Sequence, residues 1–245
     1  MMHWFIWKNK NSLRDFGLWI GKLPRITRAP ERYETVNIPG RAGQLIMLEG
    51  DDVYDGYERR ITVITRNTNP KLQEVLAWLK GSDELIVSNE LDKAYTARIV
   101  NQVDFQRAGN DLLTAEIVFF CEPLKHSVNQ AGERFTVVYG TSNENLYNPG
   151  DVASKPMVYV HGTAGNSYTI NVGGVSMTLS NAPAVLAVDC DARLIFEATE
   201  SNGVYTLTGI WTGSWTGAFP VIPTGKSRAA TTSTKIVVDP HWRWV

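Results

Sequence analysis

Residues 168–179 read YTINVGGVSMTL, two runs of strand-forming residues on either side of a Gly-Gly pair. Gly173 and Gly174 supply the positive φ angles that a two-residue primed turn requires. The pattern therefore predicts a β-hairpin with strands at 168–172 and 175–179.

Similar short runs lie on both sides of this hairpin. They are rich in Val, Ile, Tyr, Phe and Thr and are separated by turn-forming residues, as strands of a compact β domain are. They lie at 135–139, 157–161, 184–189, 193–198, 204–208 and 235–238. This regular spacing predicts that the second part of the chain is a β-sandwich.

The distribution of charge indicates where that part begins. Residues 1–135 carry 18 basic and 18 acidic side chains, whereas residues 136–245 carry 6 and 7. Threonine rises from 7 to 14 across the same point, and turn-forming residues cluster at 122–132 and 140–145. We therefore place the boundary near residue 130, with domains at 1–130 and 131–245.

The first domain contains the one helix that the sequence predicts. Asn69 is the expected N-cap, Pro70 the first helical residue and Gly81 the stop. The apolar positions follow the i, i+3, i+4, i+7 spacing of a single face: Leu72, Val75, Leu76 and Leu79. Predicted strands at 44–48, 57–65, 84–87, 95–105 and 112–120, the last two joined by a turn at 108–111, make this an antiparallel β domain with one helix.

Overall composition excludes several classes of protein. A net charge of −1 argues against a protein that binds nucleic acid through non-specific charge. No apolar run approaches the ~18–20 residues of a membrane helix, and the opening MMHWFIW does not resemble a secretion signal. We therefore expect neither a membrane span nor a secretion signal. The two cysteines, Cys121 and Cys190, fall in different predicted domains, which argues against a disulfide framework and favours a reducing compartment.

The motifs of common enzymes and cofactor sites are absent. HExxH, GxSxG, GxxxxGK[ST] and GxGxxG do not occur. The four histidines, His3, His126, His161 and His241, are isolated from one another and from both cysteines, so we expect no metal site and no cofactor. Asp51, Asp52 and Asp55 before Gly56 resemble the start of a calcium loop, but Thr62 stands where the closing glutamate would be, which favours a solvated turn.

A glycosidase remains an alternative because acidic residues cluster near one predicted strand end. Asp189 and Asp191 would lie on the same side of an extended segment, with Glu197 and Glu200 further along. Two acids near a strand end are more typical of a turn, and we favour that interpretation.

A repeated TGxW unit occupies residues 208–217, TGIWTGSWTG. In one extended strand, Trp211 and Trp215 would share a face with Gly209, Gly213 and Gly217. Two interpretations stay open: a glycan or partner contact through Trp211 and Trp215, or a pair of core tryptophans, which we favour because indoles bury so much area.

These residues together resemble the distal tail proteins of long non-contractile-tailed bacteriophages and related prophages. The resemblance spans nearly the whole chain and rests on the order and spacing of the following residues: Phe16, Gly17, Leu18, Ile20, Pro24, Tyr33, Glu34, the run 38–43 (IPGRAG), the loop 54–57, Asn148, Pro149, Gly150, Lys155, Pro156, Ile170, the run 188–190 (VDC) and the closing run 240–244 (PHWRW).

The resemblance implies a non-enzymatic protein that forms a ring, usually a hexamer, at the virion tail tip after assembly in the host cytoplasm. The first domain would resemble tail-tube proteins and build the ring, and the second would be a galectin-like β-sandwich. The implied partners are other copies of the chain, the tail tube protein, a tail-associated hub or fibre protein and, as a further candidate, the receptor-binding protein, with no specific nucleic acid and no membrane. A carbohydrate-binding adhesion module acting through Trp211 and Trp215 is the alternative function.

A ring subunit needs a different surface for each neighbour. We expect Arg41, in a glycine-bracketed turn, and Tyr54 and Tyr57 to lie near subunit contacts, although plain surface turns would explain them equally. An alternative interpretation places the acidic residues at 51, 52 and 55 on a channel through which DNA passes, where negative charge would repel the DNA backbone.

Overall fold

The computed structural model describes residues 2–50 and 52–245 and divides the chain into two compact units. One unit runs to Val128 and includes Val245, and the other spans Asn129–Trp244. Strands account for 56% of the chain, which confirms the predicted mainly-β class.

The first unit contains two short helices among its strands. Its elements are β1 (Phe5–Trp7), β2 (Lys10–Asn11), α1 (Ser12–Phe16), β3 (Trp19–Lys22), β4 (Tyr33–Asn37), β5 (Gln44–Leu48), β6 (Tyr57–Arg66), α2 (Leu72–Trp78), β7 (Ser82–Val87), β8 (Glu90–Ile99), β9 (Gln106–Arg107) and β10 (Leu112–Ser127). One sheet runs in the order β2-β1-β7-β8-β10-β6-β3, with β9 also paired to β10, whereas β4 and β5 form a separate two-stranded sheet.

The predicted helix forms as α2, but it begins and buries its side chains differently from the prediction. It starts at Leu72, and the Asn69 side chain caps the preceding turn by accepting the N–H of Lys71 at 3.0 Å. Leu76 is exposed, whereas Trp78 is buried and stacks on Phe16 with ring centroids 4.4 Å apart. Val75 and Leu79 are buried as predicted, so the change on this face is Trp78 in place of Leu76, because the large indole covers more of the core than Leu76 would.

The predicted turn at 108–111 is confirmed, but one of the two strands that it joins is not the predicted one. The N–H of Ala108 bonds to the carbonyl of Leu112, and the turn connects β10 to the two-residue strand β9. The long strand expected at 95–105 is instead β8, which ends at Ile99 and pairs with β10 further along, where Ile99 faces Phe119.

A buried ionic cluster links three adjacent strands of this sheet. The carboxylate of Glu90 lies 3.5 Å from the guanidinium of Arg59 and 3.4 Å from the ammonium of Lys125, and all three side chains are at least 95% buried. Tyr95 donates its hydroxyl proton to Glu90, and burial raises the pKa of that phenol, so it remains a donor. The Arg59 guanidinium lies 4.5 Å from the centroid of the Tyr95 ring. One carboxylate therefore serves as the counter-charge for two cations inside the sheet.

The second unit is a β-sandwich. Its elements are a 3₁₀ turn (Gln130–Glu133), β11 (Phe135–Val138), β12 (Ser142–Asn148), β13 (Met157–His161), β14 (Asn166–Val172), β15 (Val175–Ala182), β16 (Val185–Asp189), β17 (Leu194–Ser201), β18 (Val204–Ile210), β19 (Ser214–Gly217), β20 (Gly225–Thr231), β21 (Lys235–Asp239) and β22 (Arg243–Trp244). One sheet has the order β11-β21-β13-β16-β17-β18 and the other β12-β20-β14-β15-β19. Inward-facing side chains of both sheets, such as Val158 and Ile170, form one core.

The Gly-Gly hairpin forms as predicted, between β14 and β15. Val172 faces Val175, and the intervening Gly173 and Gly174 have φ angles of 67° and 85°. The two glycines differ in their surroundings: a Cβ on Gly173 would overlap the backbone carbonyl of Val221, whereas a Cβ on Gly174 would meet nothing within 4 Å. Gly173 is thus required by the close approach of another backbone segment as well as by the turn.

This difference predicts unequal effects of alanine at the two positions. Both substitutions place a side chain in the left-handed region, but only Gly173→Ala also forces two backbone segments apart. We expect Gly173→Ala to lower the free energy of unfolding by about 1–3 kcal/mol more than Gly174→Ala, measured by urea denaturation. Equal losses for the two variants would contradict the close approach at Gly173.

The ionic cluster predicts a large effect of neutralising its single anion. Glu90→Gln leaves Arg59 and Lys125 buried without a counter-charge, and we expect a loss of about 3–5 kcal/mol in unfolding free energy. Glu116→Gln is the matched control, since Glu116 pairs with Arg60 at 3.2 Å on the exposed surface, where ion pairs contribute little. If denaturation midpoints of the two variants coincide, the cluster does not stabilise the sheet as described.

Candidate functional site: an exposed hairpin and a tryptophan segment

The β4–β5 hairpin has apolar side chains on both faces, and most of them are exposed. On one face Tyr33 lies opposite Leu48 and next to Ile46, and these side chains are 56%, 59% and 63% exposed. On the other face Val36 lies opposite Leu45, and Met47 is 52% exposed. A two-stranded ribbon is marginal in water by itself, and contiguous exposed apolar area is typical of interaction sites. We call these side chains of β4 and β5 the hairpin surface.

Polar contacts stabilise the open end of this hairpin, near residues 32 and 49, which we call its root. The Arg32 guanidinium lies 2.7 Å from the carboxylate of Asp55 and 3.7 Å from that of Glu49. Backbone bonds join the same segments, from the N–H of Arg32 to the carbonyl of Val53 and from Glu49 to Arg32. The root is therefore held to the loop that follows β5, while the hairpin surface is left uncovered within the first unit.

The three residues expected at subunit contacts lie at three different places. Arg41 is exposed in the loop at the hairpin tip, where its N–H bonds to the carbonyl of Ile38. Tyr54 lies at the root, with the Arg28 guanidinium 5.8 Å from its ring, and five strand residues separate root and tip by roughly 17 Å. Tyr57 begins β6 and packs against the core of the first unit, where burial raises its pKa to about 12. Their role in subunit contacts stays a prediction.

The acidic segment before Gly56 is only partly described. Asp51 lies outside the described residues. Asp52 is exposed with a φ of 59°, and Asp55 is engaged by Arg32. The solvated-turn interpretation fits these positions better than a calcium loop does, because a carboxylate already paired with a guanidinium is a poor free ligand.

The tryptophan segment is not one extended strand, so the expected common face of its glycines and indoles is wrong. β18 ends at Ile210 on the edge of the six-stranded sheet, and β19 begins at Ser214 on the edge of the other sheet. Residues 211–213 cross between the two sheets. The alternation of an extended chain is lost in this crossing.

The two indoles consequently have different environments. Trp211 is half-buried against the sandwich core, and a Cβ on Gly213 would overlap its ring. Trp215 is 41% exposed and makes an edge-to-face contact with Phe219, with ring centroids 5.0 Å apart. Trp211 thus fits the interpretation as a core tryptophan, whereas Trp215 is accessible to a ligand or partner. A glycan or partner contact through either residue stays a prediction.

The acidic residues near β16 form a turn rather than a pair of catalytic carboxylates. The Asp189 carboxylate accepts the N–H groups of Asp191 and Ala192 at 3.0 and 2.9 Å, which confirms the turn interpretation. Asp191 pairs with Lys155, and Glu200 pairs with Lys235. Asp189, Asp191 and Glu200 are therefore each held by a different partner.

Metal-ligating side chains do not converge in the part of the chain that the structure describes. No group of three His, Cys, Asp or Glu there is placed to hold a metal ion. His126 contacts Glu84 at 3.0 Å, and His161 contacts the Tyr205 hydroxyl at 2.9 Å. Within residues 2–50 and 52–245, no helix has both the length and the apolar character needed to cross a membrane.

Sequence reasoning missed two features of these surfaces. The run 44–48, QLIML, is predicted as a strand, and its apolar residues fall on both faces. This pattern is typical of a strand that other protein surfaces cover on both faces. The sequence predicts a strand that includes Arg193, whereas Arg193 lies in the turn before β17 with a φ of 55°.

The contrast between the two indoles predicts different costs of truncation. We expect Trp211→Ala to lower the unfolding free energy by about 3 kcal/mol because it opens a gap at the core, and Trp215→Ala by less than about 1 kcal/mol. Urea denaturation followed by circular dichroism measures both. A larger loss for Trp215→Ala than for Trp211→Ala would reverse the assignment of core and surface indole.

Comparison with known proteins identifies the fold. No family model matches the chain, and no curated protein sequence matches it significantly. Among solved structures, the chain is similar to the Dit (gp 19.1) protein of phage SPP1, which is described as a paradigm of the hub adsorption apparatus in phages that infect Gram-positive bacteria. The match covers 97% of this chain and 98% of the SPP1 chain, with a TM-score of 0.68 and 14% sequence identity. A chain of the phage P2 baseplate in its activated conformation with Ca covers 97% of both chains at a TM-score of 0.49 and 7% identity, too weak a likeness to add to the assignment. The chain therefore has the fold of the SPP1 distal tail hub protein over nearly its full length.

Proposed function

We propose that this chain is a non-enzymatic structural hub of a phage tail tip, which assembles into a closed ring of six subunits. The observation that carries the proposal is the hairpin surface, which is apolar on both faces in a chain with the fold of a tail hub protein. A ribbon left uncovered on both faces is stabilised only when other protein surfaces cover it.

Another copy of the chain is the partner that fits best. A rotational ring uses two different patches on each subunit, so that an arm from one subunit lies on the body of the next. The hairpin surface suits such an arm because it is mostly uncharged, with Glu34 as the one side chain of β4 and β5 that is charged at neutral pH. Arg41 at its tip would then contact the neighbouring subunit, and Tyr54 would lie where the arm leaves its own subunit.

The proposal assigns a role to each part of the chain. Residues 1–130 would form the tail-tube-like ring, and residues 131–245 would be a galectin-like sandwich that carries attachment surfaces. The proposed partners are the tail tube protein, a tail-associated hub or fibre protein and, through the sandwich, the receptor-binding protein, all at the virion tail tip after assembly in the host cytoplasm. We propose no specific nucleic acid and no membrane as a partner.

Ring assembly is tested with charge introduced separately on each face of the hairpin. We expect the wild-type chain to give a hexamer by native mass spectrometry and light scattering, and Ile46→Glu and Met47→Glu each to shift the mass towards the monomer, because each buries a charge in a subunit contact. Val100→Glu is the matched control, since Val100 is a 51% exposed apolar residue of the first unit outside the hairpin, and it should leave the assembly unchanged.

Two outcomes would contradict the proposal. A wild-type chain that stays monomeric at every concentration measured would remove the ring. A ring that persists in both Ile46→Glu and Met47→Glu would remove the hairpin surface from the subunit contact.

A further inference from the structure

A cleft of about 520 Å³ lies at the edge of the sandwich, within the second unit. Its lining combines cationic and aromatic side chains with a buried thiol at the core: Lys155, Cys190, Arg193, Trp215, Ala218, Phe219 and Val221. A volume of this size matches the range of small-ligand sites, which are mostly apolar with a few polar groups that fix orientation. The proposed ring function makes no use of it.

Cationic side chains outnumber carboxylates around this cleft. Asp191 is paired with Lys155 at 2.9 Å and with Arg243 at 2.8 Å. Burial raises the pKa of Asp191, but the hydrogen bonds from Lys155 and Arg243 outweigh it and hold the pKa below its usual value, so the carboxylate stays ionised. Two cations therefore share one anion beside the cleft.

Arg193 adds a further cation. Its side chain has no hydrogen-bond or ion-pair partner among the residues that the structure describes. The other nearby carboxylate, Asp189, keeps its negative charge, and its Oδ1 accepts two backbone N–H groups of the same turn. Three cations, Lys155, Arg193 and Arg243, therefore stand against two carboxylates here. A guanidinium binds carboxylate or phosphate through two parallel hydrogen bonds, so Arg193 is suited to an anionic group entering the cleft.

The aromatic side chains indicate what the rest of the ligand is. The rings of Trp215 and Phe219 meet at 64°, so they do not form the parallel pair that would enclose a planar base. A single accessible aromatic face carries partial negative charge and favours contact with the weakly positive C–H groups of a puckered ring. A sugar ring offers such a face together with polar groups at its edge.

We propose that this cleft binds an anionic sugar, with the ring against Trp215 and the carboxylate or phosphate held by Arg193, and with Lys155 as a second cation. The cleft differs from the contact expected on sequence grounds, because Trp211 belongs to the core and the cations come from the turn before β17 and the segment before β13. The proposal does not depend on ring assembly, since every lining residue belongs to the second unit of one chain.

The full chain is titrated with glucuronic acid, glucose 6-phosphate, glucose, inorganic phosphate and adenosine 5′-monophosphate, followed by tryptophan fluorescence and NMR. We expect at least one anionic sugar to bind, about tenfold or more tighter than glucose and than inorganic phosphate, with affinity that falls as salt is raised. Glucuronic acid and glucose 6-phosphate distinguish a carboxylate from a phosphate as the anionic group.

Substitutions locate the binding. Arg193→Asn keeps a residue that tolerates the left-handed backbone, and we expect it and Trp215→Ala each to weaken binding of the anionic sugar about tenfold or more. Arg228→Ala, which removes an exposed arginine on β20 outside the cleft, should leave affinity unchanged. Circular dichroism confirms that each variant is folded.

Several results would overturn the proposal. The first is that glucose or inorganic phosphate binds as tightly as the anionic sugars, or that adenosine 5′-monophosphate binds more tightly than both anionic sugars. The second is that Arg193→Asn leaves the affinity for the anionic sugar unchanged. The third is that neither anionic sugar binds at concentrations up to about 10 mM.

Discussion

An apolar strand face has to be covered, and most of this structure follows from how each part of the chain meets that requirement. The second unit covers its faces by stacking two sheets on one core. The first unit covers part of its main sheet with α2, through Trp78 stacked on Phe5 and Phe16. The β4–β5 hairpin is the exception, because nothing within its own unit covers it, and the proposed ring would supply that cover from a neighbouring copy.

The surfaces available to partners differ in chemistry between the two units. The hairpin surface is apolar and almost uncharged, which suits a contact that stays buried once formed. The cleft at the edge of the sandwich joins aromatic side chains to unbalanced positive charge from Arg193, which suits a reversible, salt-sensitive ligand. The near-zero net charge of the whole chain does not reveal this difference, because a sum over all residues carries no information about where the charges lie.

Local signals in the sequence predicted much of this fold. The Gly-Gly hairpin was predictable because two adjacent glycines between strands indicate a primed turn. The helix α2 was predictable from the spacing of Leu72, Val75 and Leu79, although it begins two residues after Pro70 and ends at Trp78, before the predicted stop at Gly81. The helix α1 had an equivalent signal that was overlooked: Asn11 accepts the N–H groups of Leu13 and Arg14, and Gly17 ends the helix with a φ of 62°. Its five residues are too few to show periodicity.

What the sequence could not predict depends on long-range packing. Whether Leu76 or Trp78 faces the core depends on Phe5 and Phe16, which lie far away along the chain. The TGxW repeat has the alternation of a strand, yet its middle crosses between two sheets, and no local pattern reports which sheet each half joins. The hairpin was likewise predicted as strand, but its exposure on both faces became visible only when the rest of the unit was in place.

The burial of the two cysteines makes site-specific labelling of this protein practical. Cys121 and Cys190 are both buried, and burial raises each thiol pKa to about 12. Thiolates are the reactive form, so both native sulfurs should be nearly inert towards maleimides at neutral pH. A single cysteine introduced at the hairpin tip would then carry a spin label or fluorophore while both native cysteines stay in place, and distances between labels would report the spacing of neighbouring copies in the proposed ring.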